Sequence, residues 1–202
     1  MIAVFIFYKG LRPKWLRLFL FFLFFSFVMD AGALIYSHYF KKSNHFIINS
    51  YLPVSFSFYF LIFYKTFETK KFKLIASVSF FVYLLSFLFD ITFINRFYYF
   101  NTYSYCVGSI LIVLCCLLYF MWLFTSDGLI NYFKIPMFWI TMGLLFFYTG
   151  SLVLNSLVRY IIDNHLDPDG SIYQFIMVTL NVLLYGAFTI SFICNQVWKK
   201  AR

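Results

Sequence analysis

The sequence predicts an all-α protein, a polytopic transmembrane helical bundle of about six spans that forms a single domain over residues 1–202. Three observations carry this. Apolar residues make up 63% of the chain, and the mean hydropathy is +0.85. Six apolar runs each approach the roughly 20 residues that a helix needs to cross a hydrocarbon core of about 30 Å. The runs do not alternate apolar with polar positions. In a medium that offers the backbone no water, they are therefore helices and not the strands of a closed barrel.

The first span is Leu16–Tyr36. Before it, Met1–Tyr8 is apolar but too short to cross, and the basic run Lys9, Arg12, Lys14 and Arg17 follows it. A cleaved signal peptide has its charges in front and a small-residue cleavage site behind. Met1–Tyr8 fits instead an interfacial segment or the remnant of a seventh helix, and the first long span acts as an uncleaved anchor. The second span, Phe46–Tyr64, carries Pro53 in its first turns, where a helix tolerates it. The third is Leu74–Ile94 and the fourth Tyr103–Thr125. The fifth, Ile135–Val158, has Pro136 near its first helical position. The sixth, Ile172–Cys194, follows the turn signal Asp167-Pro168-Asp169-Gly170, with Ser171 as the expected N-cap. Short loops make sequence neighbours antiparallel partners.

The formal net charge of +9 suits nucleic acid only when it lies on one face of a soluble fold. Here the charges fall between apolar runs, so no nucleic-acid partner is expected. One side of the membrane collects twelve basic residues: Lys9, Arg12, Lys14, Arg17, Lys65, Lys70, Lys71, Lys73, Lys134, Lys199, Lys200 and Arg202. The other has four, Lys41, Lys42, Arg96 and Arg159, beside Asp163, Asp167 and Asp169. The positive-inside rule then places both termini in the cytoplasm of a cell whose inner membrane holds the chain, and an even span count agrees. A seventh helix at the N-terminus would move that end outside and leave the rest unchanged.

Polar residues inside spans carry most of the functional information, because apolar ones are at home in lipid. Ser79, Tyr83, Ser86 and Asp90 recur on one face of the third span, and Tyr148, Ser151, Asn155 and Arg159 on one face of the fifth. Gln174, Asn181, Tyr185 and Thr189 share a face of the sixth, and Ser26, Asp30 and Ser37 mark the first. Turned inward, these stripes leave the Phe-rich faces to lipid. Asp30 lies roughly 21 Å along its helix at about 1.5 Å per residue; Asp90, Asn155 and Arg159 lie near the outer ends of theirs. The candidate ligand-binding set is therefore Asp30, Asp90, Tyr148, Asn155, Arg159, Asn181 and Tyr185, an outward-facing polar pocket for a small ligand, ion or lipid headgroup. The structural alternative is that Asp30 pairs with Arg159 to fix helix register, and that the uncharged residues make ordinary interhelical hydrogen bonds.

His38, His45 and His165 all fall on the outer side with the three loop aspartates. An integral-membrane metal-dependent hydrolase would need several of these to converge, and no two histidines have the spacing of a helical metal pair. No catalytic residue, metal or cofactor is expected. Retinal chemistry would need a buried lysine, and every lysine sits at a span end or in a loop. Cys106, Cys115, Cys116 and Cys194 lie within apolar runs without a Cys-x-x-Cys pair and serve as packing residues.

Residues 135–150, Ile-Pro-Met-Phe-Trp-Ile-Thr-Met-Gly-Leu-Leu-Phe-Phe-Tyr-Thr-Gly, resemble a recurrent stretch in a family of small uncharacterised bacterial membrane proteins with six or seven helices. Asn181 with Leu183, Leu184 and Tyr185 is similar to their last span. The resemblance is specific over about twenty residues. It implies a fold and no activity, and its seven-helix members favour a missing first helix here.

Two function classes lead, and the metal-dependent hydrolase trails both. The first is a ligand-binding or signalling accessory module. Few residues follow the last span, so its output is expected to pass through a partner: another membrane or signalling protein, or a second copy of the chain in the bilayer. The second is a small transporter or channel, which more often shows internal repeats, broken helices or charges along a whole path. The potentially buried charges cluster toward one side, which favours the binding module.

Overall fold

Six apolar stretches fold as six helices in the computed structural model, which describes residues 16–41, 43–95, 99–125, 131–165 and 167–197. They are α1 (Leu16–Phe40), α2 (His45–Thr66), α3 (Lys70–Phe89), α4 (Thr102–Thr125), α5 (Pro136–Asp163) and α6 (Ser171–Val197). A π-helical turn, Asp90–Asn95, continues α3, and a 3-10 turn at Tyr132–Lys134 precedes α5. Each of the six is long and apolar enough to cross a membrane, and no strand occurs among the described residues. The chain is an all-α, multi-pass membrane protein. Met1–Tyr8 and many of the basic residues used for orientation, Lys9, Arg12, Lys14, Lys42, Arg96, Lys199, Lys200 and Arg202, lie outside the described residues.

The helices extend past the apolar runs. α3 starts a turn early because Lys70, Lys71 and Lys73 occupy its first turn, where long stems keep their charges in water. α1 and α5 continue a turn further, to Phe40 and Asp163. Lys41, just after α1, and His165, just after α5, adopt positive φ of 49° and 53°, the left-handed conformation that commonly closes a helix.

Contacts divide the chain into two compact units that meet in sequence within α4, between Leu111 and Ile112. In the first, α1 packs on α2 and α2 on α3. The core is aromatic: Phe19 and Phe22 of α1, Phe56, Phe60 and Phe63 of α2, and Tyr83 of α3 are all buried. Phe22 stacks on Phe58 with ring centroids 4.1 Å apart, and Phe56 meets Tyr83 at 4.6 Å, within the range where ring pairs add to burial. Ser26 and Tyr51 share a 2.8 Å hydroxyl hydrogen bond between α1 and α2. Gly108 of α4 lies so close to α2 that a Cβ there would come within 2.6 Å of the Phe56 ring.

In the second unit α5 and α6 pack along a seam of small residues. A Cβ on Gly143 would stand 2.8 Å from the Ala187 Cβ, and one on Gly150 would stand 2.7 Å from Leu180 Cδ2. Seven residues apart, these glycines share a face, and such small side chains let helices approach closely where lipid supplies no hydrophobic drive. Trp139 Nε1 donates to the Phe133 carbonyl at 3.0 Å and pins the 3-10 turn to α5.

The start of α6 corrects one expectation. Ser171 is the first helical residue and not the cap, because Gly170, at φ +67°, supplies the carbonyl that accepts the Gln174 N–H. The capping carboxylate is that of Asp167, which accepts the Tyr173 N–H at 2.8 Å and the Ile172 N–H at 3.1 Å. The turn itself is as the sequence implies, with the Gly170 N–H donating to the Asp167 carbonyl.

Candidate functional site

The first unit contains a buried polar cluster where α2, the end of α3 and the start of α4 meet. Asn49, Asp90, Asn101 and Ser104 are each fully excluded from the surface. Asn49 of α2 clamps the segment that leads into α4. Its Nδ2 donates to the Tyr99 carbonyl at 2.7 Å, and its Oδ1 accepts the Asn101 N–H at 3.1 Å. One side chain thus satisfies backbone groups on both sides of Phe100.

Asn101 sits immediately before α4, and its carbonyl accepts the Tyr105 N–H and the Ser104 hydroxyl. An asparagine at such a position usually turns its own side-chain oxygen onto the second or third N–H of the helix. Here that role falls to Asp90, whose Oδ2 accepts the Ser104 N–H at 2.9 Å. The end of one helix caps the start of the next, and the carboxylate faces the positive end of the α4 dipole. Asp90 is also the residue at which α3 passes from α to π geometry, a transition often found at functional sites.

Because Asp90 does the capping, the Asn101 amide is displaced from its usual work. Both Asn101 Nδ2 and Oδ1 are buried without a hydrogen-bond partner. So is Tyr83 Oη, two turns before Asp90 on the same face of α3. A buried polar group left unpaired costs about 1–3 kcal/mol, so three such atoms on the elements that carry Asp90 and its cap are expensive unless something else occupies their lone pairs and protons. The cluster presents a carboxyl acceptor, an amide with both a donor and an acceptor, and a phenol. That set can exchange hydrogen bonds with a small polar group or with ordered water.

The other sequence candidates lie elsewhere. Asp30 is on an exposed face of α1, one turn after the buried Ser26. In the second unit Tyr148, Ser151 and Asn155 form a buried stripe on α5. Asn155 Nδ2 donates to the Ser151 carbonyl at 2.8 Å, and its Oδ1 accepts the Tyr173 hydroxyl at 3.1 Å, which joins α5 to α6. The Arg159 side chain lies outside the described residues. On α6 the expected inward face turns out to be the outer one: Gln174, Tyr185 and Thr189 are exposed and Asn181 half-buried, while Leu184, Phe188, Ser191 and Phe192 are buried. Asn181 and Thr189 donate to the Met177 and Tyr185 carbonyls of their own helix. Self-satisfied in this way, they need no partner helix.

His38 and His165 are exposed, and no group of three or more metal-ligating side chains forms among the described residues. Cys106, Cys115, Cys116 and Cys194 are free thiols, and Cys115 and Cys116 are fully buried. Asn49, Asn101 and Ser104 were not among the sequence candidates. Asn101, directly before an apolar run, is an N-cap signature that marks the spot; for Asn49 no local signal exists, since its partners are about fifty residues away. Compared with protein-family models, curated proteins and solved structures, the chain matches none.

Proposed function

We propose that this chain is an inner-membrane, multi-pass ligand-binding module, which takes a small polar ligand into the Asp90 cluster and acts through a partner protein. One observation carries it: three buried, unpartnered polar atoms, Tyr83 Oη and the two amide atoms of Asn101, on the same elements that the Asp90 carboxylate joins by capping a helix N-terminus. A site held rigidly by the Asn49 clamp and the Asp90 cap, yet with hydrogen-bonding capacity left over, is organised for something that arrives from outside the chain. The excess of basic residues on one side supports an orientation with both termini cytoplasmic. The cluster, at the end of α3 away from the Lys70–Lys73 turn, then faces the outer leaflet.

The test uses purified protein in nanodiscs, with melting followed in Na⁺, K⁺, ammonium and glycine at constant ionic strength. A ligand that binds the folded state raises the melting temperature, by a stabilisation that grows with the logarithm of its concentration once that exceeds its Kd. At least one of these probes is expected to stabilise the wild type and not Asp90→Asn. Vectorial flux of the same probe in proteoliposomes would replace this proposal with a transporter. A metal-dependent turnover lost in His38→Ala or His165→Ala would replace it with a hydrolase.

A further inference from the structure

Toward the opposite end of α3 from Asp90, α2 and α3 leave between them a groove of about 420 Å³, within the range of about 300–1,000 Å³ typical of small-ligand clefts. Its walls are Phe60, Leu61 and Tyr64 of α2 and Ala76, Phe80 and Phe81 of α3. The two serine hydroxyls that also line it are already used: Ser57 donates to the Pro53 carbonyl and Ser77 to the Lys73 carbonyl. Apart from the Tyr64 hydroxyl, the groove therefore offers hydrocarbon contact. That is a surface for an acyl chain.

Charge at the mouth says which lipid. Tyr64, a wall residue, has the Lys73 ammonium 5.9 Å from its ring centroid, so the lysine is held at the rim by a cation–π contact. Lys65, Lys70 and Lys71 are exposed on the same helix–helix turn, against a single acid, Glu68. Basic groups beside a cleft between membrane helices recognise anionic headgroups. We propose that the α2–α3 groove binds an anionic phospholipid, one acyl chain lying between Leu61 and Phe81 and the phosphate meeting Lys73 and Lys65. This site is independent of the Asp90 cluster and does not rest on the function proposed for it.

Native mass spectrometry of the full chain, with phosphatidylglycerol and phosphatidylcholine titrated in separately, tests the proposal. Wild-type protein is expected to retain phosphatidylglycerol in preference to phosphatidylcholine. Lys73→Gln should lower that retention by about fivefold, the worth of roughly one basic residue near an anionic surface. Leu61→Trp, which fills the groove from its exposed rim, should lower retention of both lipids, and Lys134→Gln, a charge change outside the groove, should lower neither. Equal retention of the two lipids by wild type would overturn the proposal. So would an equal loss in Lys134→Gln, or no change in Leu61→Trp provided its melting temperature matches wild type.

Discussion

Asp90 Oδ2 accepts the backbone N–H of Ser104 at 2.9 Å, so the carboxylate that ends one membrane helix caps the beginning of the next. Covalent distance makes the contact non-trivial, since the π-helical turn and the segment up to Asn101 lie between them. Asp90→Ala leaves a buried N–H unpaired and should cost about 1–3 kcal/mol in unfolding free energy, whereas Asp90→Asn keeps an acceptor and should cost less. Reversible denaturation in mixed micelles measures both; an Asp90→Ala protein as stable as wild type would remove the cap from the account.

Asn49 should be as important to local order as Asp90. Asn49→Leu preserves volume but forfeits both hydrogen bonds to the segment before α4. Hydrogen exchange is expected to accelerate at residues 99–105, with little change in α5 and α6. Uniform acceleration across the chain, or none, would contradict the clamp.

At the α5–α6 seam the two glycines should differ. Gly143→Ala places a methyl against the Ala187 Cβ, which cannot rotate away, and overpacking of this kind costs about 1–3 kcal/mol. Gly150→Ala meets the far end of Leu180, a flexible side chain, and should be nearly neutral. Ala187→Gly should rescue Gly143→Ala in a double-mutant cycle. Additive losses in that cycle would show that the two positions do not touch.

The Asp167 cap predicts a pH dependence. Its carboxyl is held below the usual carboxylate range, chiefly by the Tyr173 N–H, with partial desolvation working the other way. For a group whose folded pKa is lowered, the contribution is complete above the unfolded value of about 3.9 and is lost as pH falls through the folded value. Amide protection factors at the start of α6 should therefore hold from neutral pH to about pH 5 and fall in more acidic solution. Asp167→Asn should show weak protection at every pH; a pH profile identical to wild type in that variant would assign the effect to another group.

The fold was legible because its signal is bulk chemistry. Six apolar runs can do little in lipid but form helices, and Pro136 and the 167–170 turn fell where backbone constraints put them. The stripe rule succeeded on α3 and α5, where Tyr83, Asp90, Tyr148 and Asn155 are buried. It failed on α6 because Asn181 and Thr189 satisfy themselves on their own helix carbonyls, an outlet that helical spacing does not reveal. Periodicity also could not show the π turn at Asp90, nor the Asn49 clamp, whose partners are distant in sequence.

The most direct test of ligand binding at the Asp90 cluster is the melting temperature of Asn101→Leu, with and without the Na⁺, K⁺, ammonium or glycine probe that stabilises wild type. Leu removes two buried unpaired polar atoms at nearly constant volume, a change that is neutral or stabilising when nothing else used them. The account predicts that Asn101→Leu is at least as stable as wild type without the probe and loses the probe-induced shift. An unchanged shift in Asn101→Leu, with melting otherwise like wild type, would contradict it and leave the cluster as a purely structural joint between α2, α3 and α4.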